Sequence, residues 1–242
     1  MIRILITIFS LVISLGIVAQ KEDVKDHTVG YHHIFYSGFQ VNTHGMGVEV
    51  RRGFHKTVRR KRLYEAQFTT LKHPREIKLL PSDGSDGFTF AKVNRAYTFR
   101  LGTGEHEILA FKLFGEGVEL KTIYSLGIAA TFLKPVYYLM VYGNDIEATL
   151  ETFDEAKHDV YNIYGPGPYF KGFSELSIQP GIFGKFALNF EYAGERTSIR
   201  SIEVGAILDG YYKNVEILAF ADNYPVFLSL YLSLQYGKKW YR

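Results

Sequence analysis

The amino-acid sequence predicts an all-β chain: a transmembrane antiparallel β-barrel, eight strands favoured over ten, with a short helix in one long loop. Three observations carry this. Long segments alternate apolar and polar residues, an apolar leader opens the chain, and none of the 242 residues is a cysteine. From Gly184 to Tyr192 the even positions hold Gly184, Phe186, Leu188, Phe190 and Tyr192, and the odd ones Lys185, Ala187, Asn189 and Glu191. From Val226 to Tyr236 the even positions run Val226, Leu228, Leu230, Leu232, Leu234 and Tyr236, with Phe227, Ser229, Tyr231, Ser233 and Gln235 between. A period of two is a strand with one apolar face. Several long ones in an exported, cysteine-free chain fit an outer-membrane barrel.

The leader begins Met1-Ile2-Arg3, continues as an apolar run from Ile4 to Val18, and ends at Ala19-Gln20 before Lys21-Glu22-Asp23. One positive charge, a short greasy core and a small residue at the cut describe a signal peptide, cleaved after Ala19. The run is shorter than the roughly 20 apolar residues of a spanning helix. The expected organisation is a signal peptide over 1–19, an N-terminal segment over 20–45 and a barrel domain over 46–242.

Lysine and arginine number 28 against 25 acidic residues, so the chain is close to neutral and gives no reason to expect nucleic acid. Mean hydropathy is −0.05, and no later apolar run reaches the length of a membrane helix. The aromatics are 18 Tyr and 19 Phe but one Trp, residues suited to strands and to interfacial girdles. Without cysteine there is neither a disulfide nor a thiolate metal site.

Nine strand candidates follow in order: 33–42, 46–54, 63–71, 93–102, 118–132, 135–142, 182–193, 199–211 and 226–236. The clearest is 118–132, where Val118, Leu120, Thr122, Tyr124, Leu126, Ile128, Ala130 and Phe132 occupy one face. Bacterial barrels use even strand numbers. The candidate at 33–42 alternates worst and is set aside, which leaves eight. Loops 55–62, 103–117, 143–181 and 212–225 then face outward, with short inner turns at 133–134 and 194–198. A long inner connection at 72–92 resists this arrangement. The ten-strand alternative keeps 33–42 and adds 173–179. Within 143–181, Ile146, Leu150, Phe153, Ala156, Val160 and Ile163 recur at helical spacing before the turn Gly165-Pro166-Gly167-Pro168. A short amphipathic helix is expected there, with Tyr161, Tyr164, Tyr169 and Phe170 as candidate partner contacts.

With apolar residues outward, the interior holds Glu49, Arg51, Glu65, Gln67, Asn94, Arg100, Glu119, Lys121, Lys185, Asn189, Glu191, Glu203, Asp209 and Gln235. A narrow barrel has little room for water, so these charges must pair. The expected result is a structural salt-bridge plug, with inward Gly47, Gly53, Gly127 and Gly205 leaving room for the side chains opposite. A filled interior disfavours a small porin. An enzyme acting on outer-membrane lipids is the runner-up, since some barrels hydrolyse or transfer acyl chains. It would need a nucleophile and a base. The histidines His27, His32, His33, His44, His55, His73, His106 and His158 lie near strand ends or in loops, with His44 and Ser37 as one candidate pair. No Gly-x-Ser-x-Gly elbow and no His-Glu-x-x-His spacing occurs, so neither catalyst, cofactor nor metal is expected. The basic run Lys56-Thr57-Val58-Arg59-Arg60-Lys61-Arg62 is a candidate contact for lipopolysaccharide phosphates.

The alternating strands from Gly45 onward, the segments Gly45-Met46-Gly47-Val48-Glu49-Val50-Arg51 and Pro180-Gly181-Ile182-Phe183-Gly184-Lys185, and the tail from Phe227 to Gly237 resemble small Gram-negative outer-membrane barrels. Such barrels typically end in an aromatic; here Trp240-Tyr241-Arg242 makes the aromatic penultimate. The resemblance implies an envelope protein in contact with outer-membrane lipid, lipopolysaccharide and other envelope proteins, and carries over no functional residue.

Overall fold

Period-two alternation becomes a wall of antiparallel strands. A computed structural model describes residues 33–57, 59–79, 87–111, 117–142, 147–192 and 197–240. The strands are β1 (His33–Asn42), β2 (Gly45–His55), β3 (Arg60–Leu71), β4 (Lys78–Leu79), β5 (Phe88–Thr89), β6 (Asn94–Ala110) and β7 (Glu119–Pro135). They continue with β8 (Tyr137–Met140), β9 (Thr149–Thr152), β10 (Ile163–Pro166), β11 (Ser177–Glu191), β12 (Ser198–Tyr211) and β13 (Val226–Trp240). Eight of them close a barrel in the order β1-β13-β12-β11-β7-β6-β3-β2. The closing seam runs from His33 opposite Trp240 to Asn42 opposite Tyr231. Closure leaves no free edge in the barrel wall.

The eight are not the eight expected. The segment 33–42 is a barrel strand. Its even positions face inward: Ile34, Tyr36 and Gln40 are buried while Phe35, Phe39 and Val41 are exposed. Large residues on both faces blur its alternation. The segment 135–142 is not in the wall. β8 pairs with β9 and β10 in a separate three-stranded sheet. The ten-strand alternative fails as well, because 173–175 is a single 3-10 turn ahead of β11.

The helix expected in the long loop is replaced by β9, a 3-10 turn at Val160–Asn162 and β10. The apolar residues at helical spacing serve that sheet instead. Phe153 and Ile163 pack with Phe88, Ala91, Val136, Tyr138 and Met140 into a second core outside the barrel. The predicted signal peptide, Ile146 and the last two residues lie outside the described residues.

Including β1 reassigns the barrel ends. The connections 43–44, 72–93, 136–176 and 212–225 share one end; 56–59, 111–118, 192–197 and both wall termini share the other. The resisting connection 72–92 thereby joins the other long loops, and 55–62 and 103–117 move to the opposite end from 143–181. The loops at the long-loop end are stitched together. The Val93 and Ala219 amides donate to the Ile217 and Ala91 carbonyls at 2.9 Å each, and the Val136 amide to that of Val93 at 2.9 Å. The Tyr138 hydroxyl donates to the Thr89 carbonyl at 2.6 Å and accepts from the Lys92 amide at 3.1 Å.

Candidate functional site: a charge-paired lumen and a capped mouth

Inside the wall, charged side chains meet in three layers. At the long-loop end Arg100 grips Asp209 with two parallel bonds, Nε to Oδ1 at 2.6 Å and Nη2 to Oδ2 at 2.7 Å. Its third nitrogen reaches Thr69 at 2.9 Å. Above this pair the 212–225 loop turns inward. Val215 and Ile217 are fully buried and join Leu71, Ala96 and Tyr211 in the barrel core, so this mouth is plugged by its own loop.

The middle layer centres on Arg51. Its guanidinium contacts Glu203 twice at 2.6 Å, Glu49 at 2.5 Å and Glu65 at 3.0 Å. Lys185 pairs with Glu65, and Ser125 donates to that carboxylate at 2.5 Å. The Tyr231 hydroxyl donates to Glu203 at 2.5 Å, and Gln235 bridges Glu49 and Glu203 at 2.7 and 2.8 Å. A fork that meets carboxylates on several sides, each holding a further donor, satisfies buried charge.

The third layer lies toward the termini. Lys121 pairs with Glu191 and, at 2.9 Å, with Glu119, and Lys239 meets Glu191 at 2.5 Å. Beside them is a cavity of about 10 Å³ that Lys61 and His106 also line. That is room for about one water. The buried His106 Nε2 has no hydrogen-bond partner.

Glu49, Arg51, Glu65, Gln67, Arg100, Lys121, Lys185, Asn189, Glu191, Glu203, Asp209 and Gln235 are buried in the lumen. Glu119 and Asn94 are half-buried at its two ends. Reading the sequence did not single out Tyr231, Ser233, Ser125, His106 or Lys239. All share the inward parity of their strands, and that signal was available. Tyr36, stacked 5.6 Å under Arg51, lies on β1, whose weak alternation hides its inward parity. Of the inward glycines, Gly127 faces Gly102 across β6–β7, and the Phe183 ring fills the space both leave.

The basic run does not form one patch. Lys56 pairs with Glu105 at 2.5 Å, Arg60 with Glu107 at 3.0 Å, and the Arg59 guanidinium sits 5.9 Å over Phe111. Lys61 turns into the lumen and Arg62 outward, as strand alternation requires. All lie at the end opposite the 136–176 connection, a correction to their expected place. On that connection Tyr161, Tyr164 and Phe170 are exposed. Tyr169 is tied to the rim: its hydroxyl meets that of Tyr97 at 2.7 Å, with Arg95 and Lys134 4.8 and 4.7 Å from its ring.

His44 and Ser37 do not meet. His44 Nδ1 instead lies 2.9 Å from Ser229 Oγ, while Ser37 is on the outer wall. Ser229 is an inward residue with 2% exposure, so its hydroxyl is not presented to a substrate on the wall. The inward acid of β12 nearest that end, Asp209, is occupied by Arg100. Among the described residues no group of three His, Cys, Asp or Glu is placed to hold a metal.

No family model matches the chain, and no curated protein does. A solved structure that is similar is the crystal structure of Neisserial surface protein A (NspA). It is 9% identical with a TM-score of 0.45, covering 86% of this chain and 96% of that one.

Proposed function

We propose that this chain is an outer-membrane β-barrel with a structural role, or a membrane-embedded subunit of an envelope assembly. The observation that carries the reading is the inverted distribution of side chains. Leu126, Ile128, Ile182, Phe186, Leu228 and Leu230 are exposed on the wall, while Glu49, Arg51, Arg100, Lys185, Glu203 and Asp209 are buried within it. Water would select the opposite arrangement; hydrocarbon selects this one. The shortest barrel strand has 10 residues, enough at a barrel tilt to cross a bilayer. Barrels of this kind keep short turns on the periplasmic side and long loops on the extracellular side, so 72–93, 136–176 and 212–225 face the exterior.

A lumen filled by paired charges and plugged by Val215 and Ile217 favours a scaffold over a conduit. The exposed Tyr161, Tyr164 and Phe170 are the proposed contact for other envelope proteins, since aromatics are the side chains enriched at interfaces. A lipid-modifying enzyme retains one supporting observation, the His44–Ser229 pair, against the inward position of Ser229.

The test is fractionation followed by affinity isolation from detergent-solubilised outer membrane. The mature chain should begin at Gln20 and require detergent. A Tyr161→Ser, Tyr164→Ser, Phe170→Ser variant should keep its heat-modifiable barrel and lose co-purifying proteins. Recovery as a soluble protein rejects the location, and unchanged partners reject the loop.

A further inference from the structure

At the long-loop end, where β3 and β6 leave the wall, a cavity of about 340 Å³ opens beneath the 72–93 connection. Four cations line it: Lys72, Lys78, Lys92 and Arg95. Their backbones are held in place. The Lys72 amide bonds the His44 carbonyl at 2.7 Å, Lys78 pairs with Thr89 across β4–β5, Lys92 bridges Leu218, and Arg95 pairs with Lys134 across β6–β7. Among the described residues the one acidic lining residue, Glu76, is already occupied: one oxygen meets Lys92 Nζ at 2.6 Å and the other accepts from the His73 amide at 3.0 Å. Among the described residues Lys72, Lys78 and Arg95 therefore have no carboxylate partner in the cavity. Phe88, Val136 and Tyr138 also line it.

The position of the cavity selects the ligand. Thr70 and Tyr97, outward residues of β3 and β6, line it as well, and the Tyr97 ring stacks on Phe68 of the apolar wall with centroids 6.1 Å apart. An occupant would present a multivalent anion to the three cations and hydrocarbon to this wall. We propose that the cavity holds the phosphate head group of a membrane lipid whose acyl chains lie along Phe68 and Tyr97. Lysine and arginine around a partly enclosed space suit phosphate oxygens, which accept several charge-assisted bonds at once. This rests on the reading of the wall as membrane-facing, and it moves the phosphate contact from the 56–62 run to the other end of the barrel.

The probe pair is dioleoylphosphatidic acid and dioleoylglycerol, which differ only in the phosphate. Each is added to the full-length mature barrel in uncharged detergent and retention is read by native mass spectrometry, with inorganic phosphate as competitor. Losing charge-assisted bonds should cost about tenfold in affinity or more. The phosphatidic acid adduct should therefore exceed the dioleoylglycerol adduct by about that factor, and a Lys72→Gln, Lys78→Gln, Arg95→Gln variant should reduce it similarly. Lys56→Gln with Arg60→Gln, at the opposite end, should leave it unchanged. Equal retention of the two lipids, or of phosphatidic acid by wild type and triple variant, overturns the proposal. Full displacement by equimolar inorganic phosphate overturns the lipid as occupant. If the triple variant lacks the heat-modifiable gel shift, Lys72→Gln alone must still lower retention, and unchanged retention overturns the site. Failure of the membrane reading would look different: a chain that stays soluble without detergent.

Discussion

Arg51 and Glu203, 152 residues apart in sequence and three strands apart around the wall, meet inside the barrel through two hydrogen bonds of 2.6 Å. Glu49 and Glu65 share the same guanidinium. Arg51→Ala therefore leaves three carboxylates buried around an empty space, and the expected cost is about 3–5 kcal/mol. Replacing an ionic group by apolar residues of similar volume is often neutral, but here Glu49 and Glu65 would remain, so Arg51→Met should also be strongly destabilising. Urea unfolding midpoints in detergent measure both. A loss under about 1 kcal/mol for Arg51→Ala would show the cluster to be no more than a surface-like ion pair.

The facing of the wall makes a second prediction. Leu126 is 72% exposed near the middle of β7. Leu126→Arg should cost about 2–4 kcal/mol in a bilayer, where a cation at mid-depth on the lipid face meets hydrocarbon. Leu126→Phe should be tolerated. Folding assays in lipid vesicles decide it; equal stability of the two variants would contradict a membrane-facing surface.

Backbone proximity governs a third. A Cβ at Gly127 would lie 2.1 Å from the Leu101 carbonyl oxygen and 2.7 Å from the Phe183 ring. The nearer atom is backbone and cannot swing aside. Gly127→Ala should lower stability by about 1–3 kcal/mol through overpacking, and adding Phe183→Leu should not restore it. Restoration, read as the unfolding midpoint, would place the conflict in the ring.

The last prediction concerns the cap. The Tyr138 hydroxyl, on a buried ring, serves the Thr89 carbonyl and the Lys92 amide and carbonyl. Burial holds its ionisation well above the ordinary tyrosine range, so the proton stays available to donate. Tyr138→Phe leaves those backbone groups short of a partner, at an expected cost of about 1–3 kcal/mol to the cap. Faster amide exchange in 87–93, with the barrel strands unchanged, checks it. Unchanged exchange would mean that the backbone bonds at Val93 and Ala219 hold the cap alone.

Local pattern along the chain suffices for the class and for the facing of seven wall strands, because a side chain's face in a strand depends only on its own position and parity; the count of eight agrees only because 135–142 stands in for 33–42. Lys185 and Phe186 could be assigned to opposite sides with no knowledge of any other strand. Tertiary structure alone decided membership and pairing. The 135–142 segment forms a strand, as its local pattern required, yet it lies in another sheet, because hydrogen bonding to β9 and β10 is non-local. Segment 33–42 alternates weakly, yet its backbone bonds β2 on one edge and β13 on the other, and closure does not depend on a clean pattern. That one strand sets which loops share an end, and so where the basic run at 56–62 and the cations at Lys72, Lys78 and Arg95 lie. Proximity of Arg51 to Glu203, or of Lys72 to Arg95, arises from closing the wall, and no periodicity along the chain encodes it.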